Sequence, residues 1–205
     1  NVQRGGPGLG GIQPSQADYW QATKATGHGD FQILVLAPST VQEMVDLVSD
    51  AFDLADQYRM PAMILADGML GQMMEPVSLP EEAGAAPAQK DWAACGHGGK
   101  RPHNIVNSLY LTPDKLEELV KERFARYEQI KQHEQRAEEY LADDADVVVV
   151  AYGASSRVAR GAVNKAREMG IKAGLVRPIT LWPFPADALN RAASHAKNLL
   201  VVEMS

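Results

Sequence analysis

At 205 residues, with 45% hydrophobic and 22% charged side chains, the chain is long enough for one large or two small globular domains around a real core. A net charge of −6 with no compensating basic stretch argues against nucleic-acid binding, and no apolar run approaches the ~20 residues that a membrane-spanning helix needs. The single cysteine, Cys95, excludes internal disulfides and any iron–sulfur cluster ligated by this chain alone, and makes a reducing cytoplasm the simplest compartment.

The chain opens without Met on Asn1-Val-Gln-Arg4-Gly5-Gly6-Pro7-Gly8-Leu9-Gly10-Gly11 and ends on an apolar run at 199–202, so both ends read as cuts through folded structure. Glycines allow close backbone approach to a ligand, and the lone Arg4 offers a permanently charged planar fork for a carboxylate or phosphate. A surface arginine on a loop is the equal alternative. Residues 31–36 form a short apolar run that predicts a buried strand. Ser39-x-x-Gln42 fits a capping box that opens a helix to residue 58. Its stripe is Val41, Met44, Val45, Val48, Phe52 and Ala55, widened by Leu47 and Leu54, which predicts deep burial. Residues 60–66 read as a second buried strand, ending in Asp67-Gly68. Strand, helix and strand at this spacing imply a parallel sheet, with Pro38-Ser39 and Asp67-Gly68 on the edge where ligands sit.

From residue 75 to 102 the chain is rich in Pro, Gly and Ala and reads as a long loop. Thr112-Pro113 then starts a charged helix expected to reach about residue 141, with Glu117/Lys121 and Glu122/Arg126 paired on its wet side. Residues 147–152 predict a strand, 153–169 a helix ended by Gly170, and 171–176 a strand. Residues 178–185 read as a loop, 186–196 as a helix and 199–203 as a strand. That order gives a second parallel sheet. The fold class is therefore α/β: two parallel-sheet domains joined by a loop and a long helix.

Several motifs fail. The glycines at 6, 8 and 11 do not complete a dinucleotide fingerprint, and Ala94 breaks a phosphate-loop reading of Gly99-Lys100. Cys95, His97 and His103 share one loose segment without a fourth ligand, so no metal site is assigned. Gly153-Ala-Ser-Ser156 at a strand-to-helix turn is either an anion nest or plain capping by Ser155 or Ser156, with capping favoured. His28-Gly-Asp30 sets an imidazole beside a carboxylate in a turn.

Five segments occur in one order: Arg4-Gly-Gly-Pro-Gly-Leu-Gly10, His28-Gly-Asp30, Leu36-Ala-Pro-Ser-Thr-Val-Gln-Glu43, Ala66-Asp-Gly68 with Gln72-Met-Met-Glu-Pro76, and Arg177-Pro-Ile-Thr-Leu-Trp-Pro-Phe-Pro185. Together they resemble the α subunit of the thiamine-diphosphate-dependent 2-oxoacid:ferredoxin oxidoreductases. The resemblance is nearest the 2-oxoisovalerate branch, with the 2-oxoglutarate branch next. It implies that residues 1–80 are the C-terminal part of a thiamine pyrimidine-binding-type domain. Residues 81–143 would be a linker with a long helix, and 144–205 the start of a transketolase C-terminal-like domain. It implies that Arg4, with Gly5 and Gly6, holds the substrate carboxylate, and it makes His28 and Asp30 the cofactor-side candidates. No catalytic residue is assigned to this chain. The glutamate that activates the pyrimidine should lie upstream of Asn1. Mg²⁺ and the diphosphate would be held with a β subunit, and the iron–sulfur clusters with γ and other chains. Coenzyme A is the implied co-substrate and ferredoxin the electron acceptor, so this polypeptide alone should be inactive. A 2-oxoglutarate-specific member, a binding module for a nucleotide or phosphate, and a purely structural assembly subunit are the competing readings.

Overall fold

The computed structural model describes residues 1–8, 11–24, 27–79 and 90–204. The chain divides into two compact units, Asn1–Leu79 with Ile130–Ser205, and Pro80–Gln129.

In the first unit, β1 (Val2–Gln3) and α1 (Tyr19–Lys24) precede β2 (Leu34–Leu36). All three β2 residues are buried, as an uninterrupted apolar run in a central strand requires. Then follow α2 (Val41–Tyr58), β3 (Ala62–Ile64) and β4 (Ala66–Asp67). β2 pairs parallel with β3, and β1 pairs parallel with β4. The cap of α2 lies one residue beyond the predicted one. Thr40 is the N-cap and its hydroxyl accepts from the Glu43 amide at 3.0 Å. The Glu43 carboxylate reaches back to the Ser39 amide at 2.7 Å. A carboxylate satisfies the orphan amides at a helix start better than Gln42 does, because it also complements the helix dipole. The buried face of α2 centres on Leu47 and Leu54, while Phe52 stays 71% exposed. The predicted stripe is thus rotated toward its widening residues.

The later part of this unit holds β5 (Ala137–Tyr140), β6 (Val147–Val150), α4 (Gly153–Glu168), β7 (Ala173–Pro178), β8 (Thr180–Trp182), α5 (Ala186–Ala193) and β9 (Asn198–Val201). The sheet order is β5-β7-β6-β9, with β7, β6 and β9 parallel. Alternate strand residues face opposite sides. Val148 and Val176 therefore pack with Ala188 and Ala192 of α5, while Val149, Ala173 and Leu175 pack with Ala159 and Val163 of α4. Gly174 is required by close approach: a Cβ there would lie 2.5 Å from the Leu141 carbonyl oxygen and 2.8 Å from the Ala142 Cα.

Two antiparallel strands depart from the sequence reading. The long helix, α3 (Pro113–His133), stops eight residues early, because Ala137–Tyr140 pairs with β7 as β5. Arg136 fixes the switch: its amide donates to Thr180 Oγ1 at 2.9 Å and its carbonyl accepts from the Ile179 amide at 2.9 Å. The expected loop at 178–185 contains β8, which pairs antiparallel with β2. Prolines at 178, 183 and 185 concealed this three-residue strand in the sequence.

In the second unit, residues 90–112 carry no helix or strand. Arg101 and Asn104 gather their backbone carbonyls, including that of Ala93 at 3.2 and 3.0 Å. The part of the predicted loop at 80–89 lies outside the described residues, as do Leu9 and Gly10. On α3, Lys121 pairs with Glu117 at 2.7 Å, as the spacing predicts.

Candidate functional site

The glycine-rich segment folds as two arms on a platform. β1 runs beside β4 with Val2 opposite Ala66 and Gln3 opposite Asp67. The chain then turns out through Arg4 and returns, with Arg4 bridged to Pro14 and the Gly5 amide donating to the Gln13 carbonyl at 3.0 Å. The Arg4 guanidinium curls over its own loop and donates to the carbonyls of Gly5, at 2.9 Å, and Gly8. It is half-exposed and has no carboxylate partner among the described residues. Gly8 needs to be glycine, with φ of +80°. Gly6 does not on steric grounds: a Cβ there would meet nothing within 4 Å.

His28 and Asp30 lie in the exposed turn before β2, where Asp30 adopts φ of +55° and Gly29 +70°. No hydrogen bond joins them to the Arg4 loop among the described residues. Proximity in sequence made them look like a pair. The structure shows a backbone turn.

The Gly153 turn fits neither sequence reading. Gly153 has φ of +57°, α4 has no local side-chain cap, and Ser156 Oγ donates back to the Gly153 carbonyl at 2.7 Å. The cap comes from 87 residues upstream: Asp67 Oδ2 accepts from the Ala154 amide at 3.2 Å. Its other oxygen accepts from the Met69 and Leu70 amides at 2.9 and 3.0 Å. Asp67 is 1% exposed, so this carboxylate answers its burial with three backbone donors and the positive end of α4.

Gln16, which sequence reasoning passed over, is equally buried and fastens the same junction. Its Nε2 donates to the Tyr152 carbonyl at 2.9 Å, and its Oε1 accepts from Ser155 Oγ at 2.8 Å and the Met204 amide at 3.0 Å. Beyond the carboxyl ends of β6, β7 and β9 lies an apolar cavity of about 330 Å³, walled by Trp20, Leu181, Phe184 and Val202 among others. Burial pushes the Tyr19 and Tyr152 phenols up from their ordinary values, and the Glu203 charge adds to both.

A second cavity of about 540 Å³ is polar and lies between α2, α4, β5 and β7. Arg177, 5% exposed, grips Glu43 with both terminal nitrogens at 3.0 and 2.7 Å and Glu138 with Nε at 2.8 Å. Arg160 bonds the other oxygen of Glu138, and Arg157 pairs with Glu75 at 2.8 Å. Burial by itself raises Glu138, but the hydrogen bonds from Arg160 and Arg177 and their charges hold it below the usual carboxylate range. Three guanidinium groups here meet three carboxylates, so the cluster is a charge-balanced brace rather than an open anion seat. One sequence signal marked it: Arg177 interrupts an apolar strand run.

In the second unit, His97 Nε2 lies 3.2 Å from His103 Nε2, and His97 Nδ1 accepts from the Gly99 amide at 3.0 Å. A neutral imidazole that accepts at Nδ1 carries its proton on Nε2, which faces the His103 ring. Cys95 Sγ faces Arg101 at 3.6 Å.

Residues 1–139 match the family described as pyruvate flavodoxin/ferredoxin oxidoreductase, thiamine diphosphate-binding, and residues 145–205 match pyruvate:ferredoxin oxidoreductase core domain II. The chain belongs to the 2-oxoacid:ferredoxin oxidoreductase family. Over its whole length it is 51% identical to the ketoisovalerate oxidoreductase subunit VorB of Methanothermobacter thermautotrophicus, and spans 58% of that protein. It is 34% identical to the 2-oxoglutarate synthase subunit KorA of the same organism, again over the whole chain and 61% of the relative. Its similarity therefore leans toward the 2-oxoisovalerate branch. A solved 2-oxoglutarate:ferredoxin oxidoreductase from Magnetococcus marinus, with 2-oxoglutarate, coenzyme A and succinyl-CoA bound, superposes with a TM-score of 0.75. At 23% identity, over all of this chain and 40% of that one, it confirms the α/β fold.

The first amide of α4 beyond Gly153 is taken by Asp67. No group of three or more His, Cys, Asp or Glu side chains converges among the described residues. Among those residues no helix is long and apolar enough to cross a membrane.

Proposed function

We propose that this chain is a segment of the α subunit of a cytoplasmic 2-oxoacid:ferredoxin oxidoreductase acting on a branched-chain acid, 2-oxoisovalerate. In that reaction the bond between the carboxylate and carbonyl carbons breaks and carbon dioxide leaves. The acyl group passes to the thiol of coenzyme A, and two electrons pass singly through iron–sulfur clusters to ferredoxin. Thiamine diphosphate supplies the electron sink for the decarboxylation. We assign its diphosphate and Mg²⁺ to a β subunit and the clusters to further subunits. The change of matched family between residues 139 and 145 supports a domain boundary at 143/144; within the first part we assign residues 1–80 as pyrimidine-binding-type and 81–143 as connecting.

The observation that carries this reading is the state of Arg4. Among the described residues its charge is answered by two neutral carbonyls, beside a glycine with open space around it. A substrate carboxylate exchanges those neutral contacts for a charge-assisted, two-pronged one at low cost. Gly5 and Gly6 let the acid approach the backbone. His28 and Asp30, free to face out of their turn, are assigned to the cofactor side.

The test is CoA-dependent reduction of a viologen dye by the full-length protein assembled with its partner subunits, across a panel of 2-oxoacids. We expect turnover to favour 2-oxoisovalerate; preference for 2-oxoglutarate would move the chain to that branch. Arg4→Ala should raise KM by about 30- to 150-fold, the equivalent of ~2–3 kcal/mol for a charge-assisted contact. An unchanged KM would remove Arg4 from substrate binding.

A further inference from the structure

The arms of the Arg4 loop rest on residues 67–72, and that platform has its own anchor. A Cβ on Gly68 would lie 3.1 Å from the Ile12 Cγ2 methyl, 3.4 Å from the Gln3 carbonyl oxygen and 3.5 Å from that of Gln13. Gln3 belongs to the outgoing arm, and Ile12 and Gln13 to the returning one. Gly68 is thus the point where both arms meet the platform, and its missing side chain leaves the room that the Ile12 methyl of the returning arm uses. Three residues on, a Cβ on Gly71 would sit 3.2 Å from Val2 Cγ1. Gln72 Nε2 donates to the Ile12 carbonyl at 3.3 Å.

The platform keeps its shape because Asp67 Oδ1 holds the Met69 and Leu70 amides, which start the 3₁₀ turn Leu70–Gln72. It keeps its place because Asp67 Oδ2 holds the first turn of α4. One buried carboxylate therefore ties the loop's support to the rigid helix on the neighbouring sheet. The backbone of the same residue carries the ladder to Gln3, immediately before Arg4.

We infer that Asp67 and Gly68 are positioning residues for Arg4: Asp67 locks the platform to α4, and Gly68 leaves room for the returning arm of the loop that presents the guanidinium to the substrate carboxylate. This rests on the substrate role proposed for Arg4. Neither residue touches substrate in this scheme. Each acts by fixing where Arg4 begins. Asp67→Asn keeps an acceptor for Met69 and Leu70 but turns an amide NH₂ toward the Ala154 amide, two donors face to face. Gly68→Ala presses on the Ile12 methyl, so the returning arm must give by a few tenths of an ångström, while the Gln3 and Gln13 carbonyls stay at ordinary contact distance; misplacing a substrate-positioning group weakens its hold on the substrate.

Two readouts on the full-length protein in its assembled complex test this, one of which does not depend on turnover. First, amide hydrogen exchange of Gly5 and its neighbours in residues 3–14 should accelerate in both variants. Unchanged exchange in both overturns the inference. Second, each variant should raise KM for the 2-oxoacid about tenfold while changing kcat less, and should add little further in an Arg4→Ala background. Fully additive effects with Arg4→Ala would overturn it, because the two residues would then act independently of Arg4. If Arg4→Ala itself leaves KM unchanged, the substrate role fails, and the kinetic half of this inference fails with it. Faster exchange would still establish the support of the loop. If Asp67→Asn loses the α4 cap so completely that the protein does not fold, Gly68→Ala carries both readouts.

Discussion

Arg177 and Arg4 are the same side chain in opposite circumstances. Arg177 is 5% exposed, and its three nitrogens are spent on two carboxylates, Glu43 and Glu138. Arg4 is half-buried and, among the described residues, bonds to carbonyls of its own loop. Burial forces the first into complete pairing, because an unanswered charge away from water is too costly to survive folding. Water supports the second, which leaves its net charge available. The pair separates a guanidinium that holds structure from one that we propose binds substrate.

Four substitutions in the full-length protein break or sharpen that contrast. Arg177→Leu should be the most damaging, since it strands Glu43 and Glu138. We expect a loss of about 3 kcal/mol in urea denaturation. A loss under about 1 kcal/mol would mean that water enters the polar cavity freely enough to solvate both carboxylates. Thr40→Ala removes the cap of α2 beside that cluster and should cost about 1 kcal/mol by the same measurement. Equality of the two losses would assign the stabilisation to helix capping rather than charge pairing. Arg4→Ala should change stability by no more than about 0.5 kcal/mol, because the loop keeps its Arg4–Pro14 bridge and Gly5–Gln13 bond. A larger loss would make Arg4 a loop staple.

Tyr58→Phe carries a pH signature that the other three substitutions lack. Tyr58 donates to Glu134 at 2.6 Å, and burial, with that hydrogen bond and charge, pushes its phenol from 10.0 up to about 12. A raised phenol pKa favours the protonated native state. Its contribution is therefore whole below pH 10 and lost as pH rises toward 12. The gap between wild type and Tyr58→Phe in thermal melts should close across that window. A gap that stays constant would place the stabilisation in packing.

How legible each feature was follows the range of the interactions that made it. Apolar runs at 31–36 and 147–152 announced buried strands, because local hydrophobicity suffices where both sheet faces are covered. The Arg4 loop stood out by composition, and five short segments in order carried the family. His28 and Asp30 looked like a pair only because they are two residues apart.

What the sequence determined by itself was the set of locally encoded elements: the strand–helix–strand units, the start of α3 at Thr112-Pro113, and one arginine among glycines. The tertiary structure decided the rest, through partners far apart in the chain. Residues 137–140 became a strand because β7 offered an open edge and Arg177 a counter-charge for Glu138. Residues 180–182 became one because β2 had a free side. The cap of α4 came from Asp67, since a buried carboxylate and a row of unpaired amides each need the other, and no rule of local spacing reaches across 87 residues.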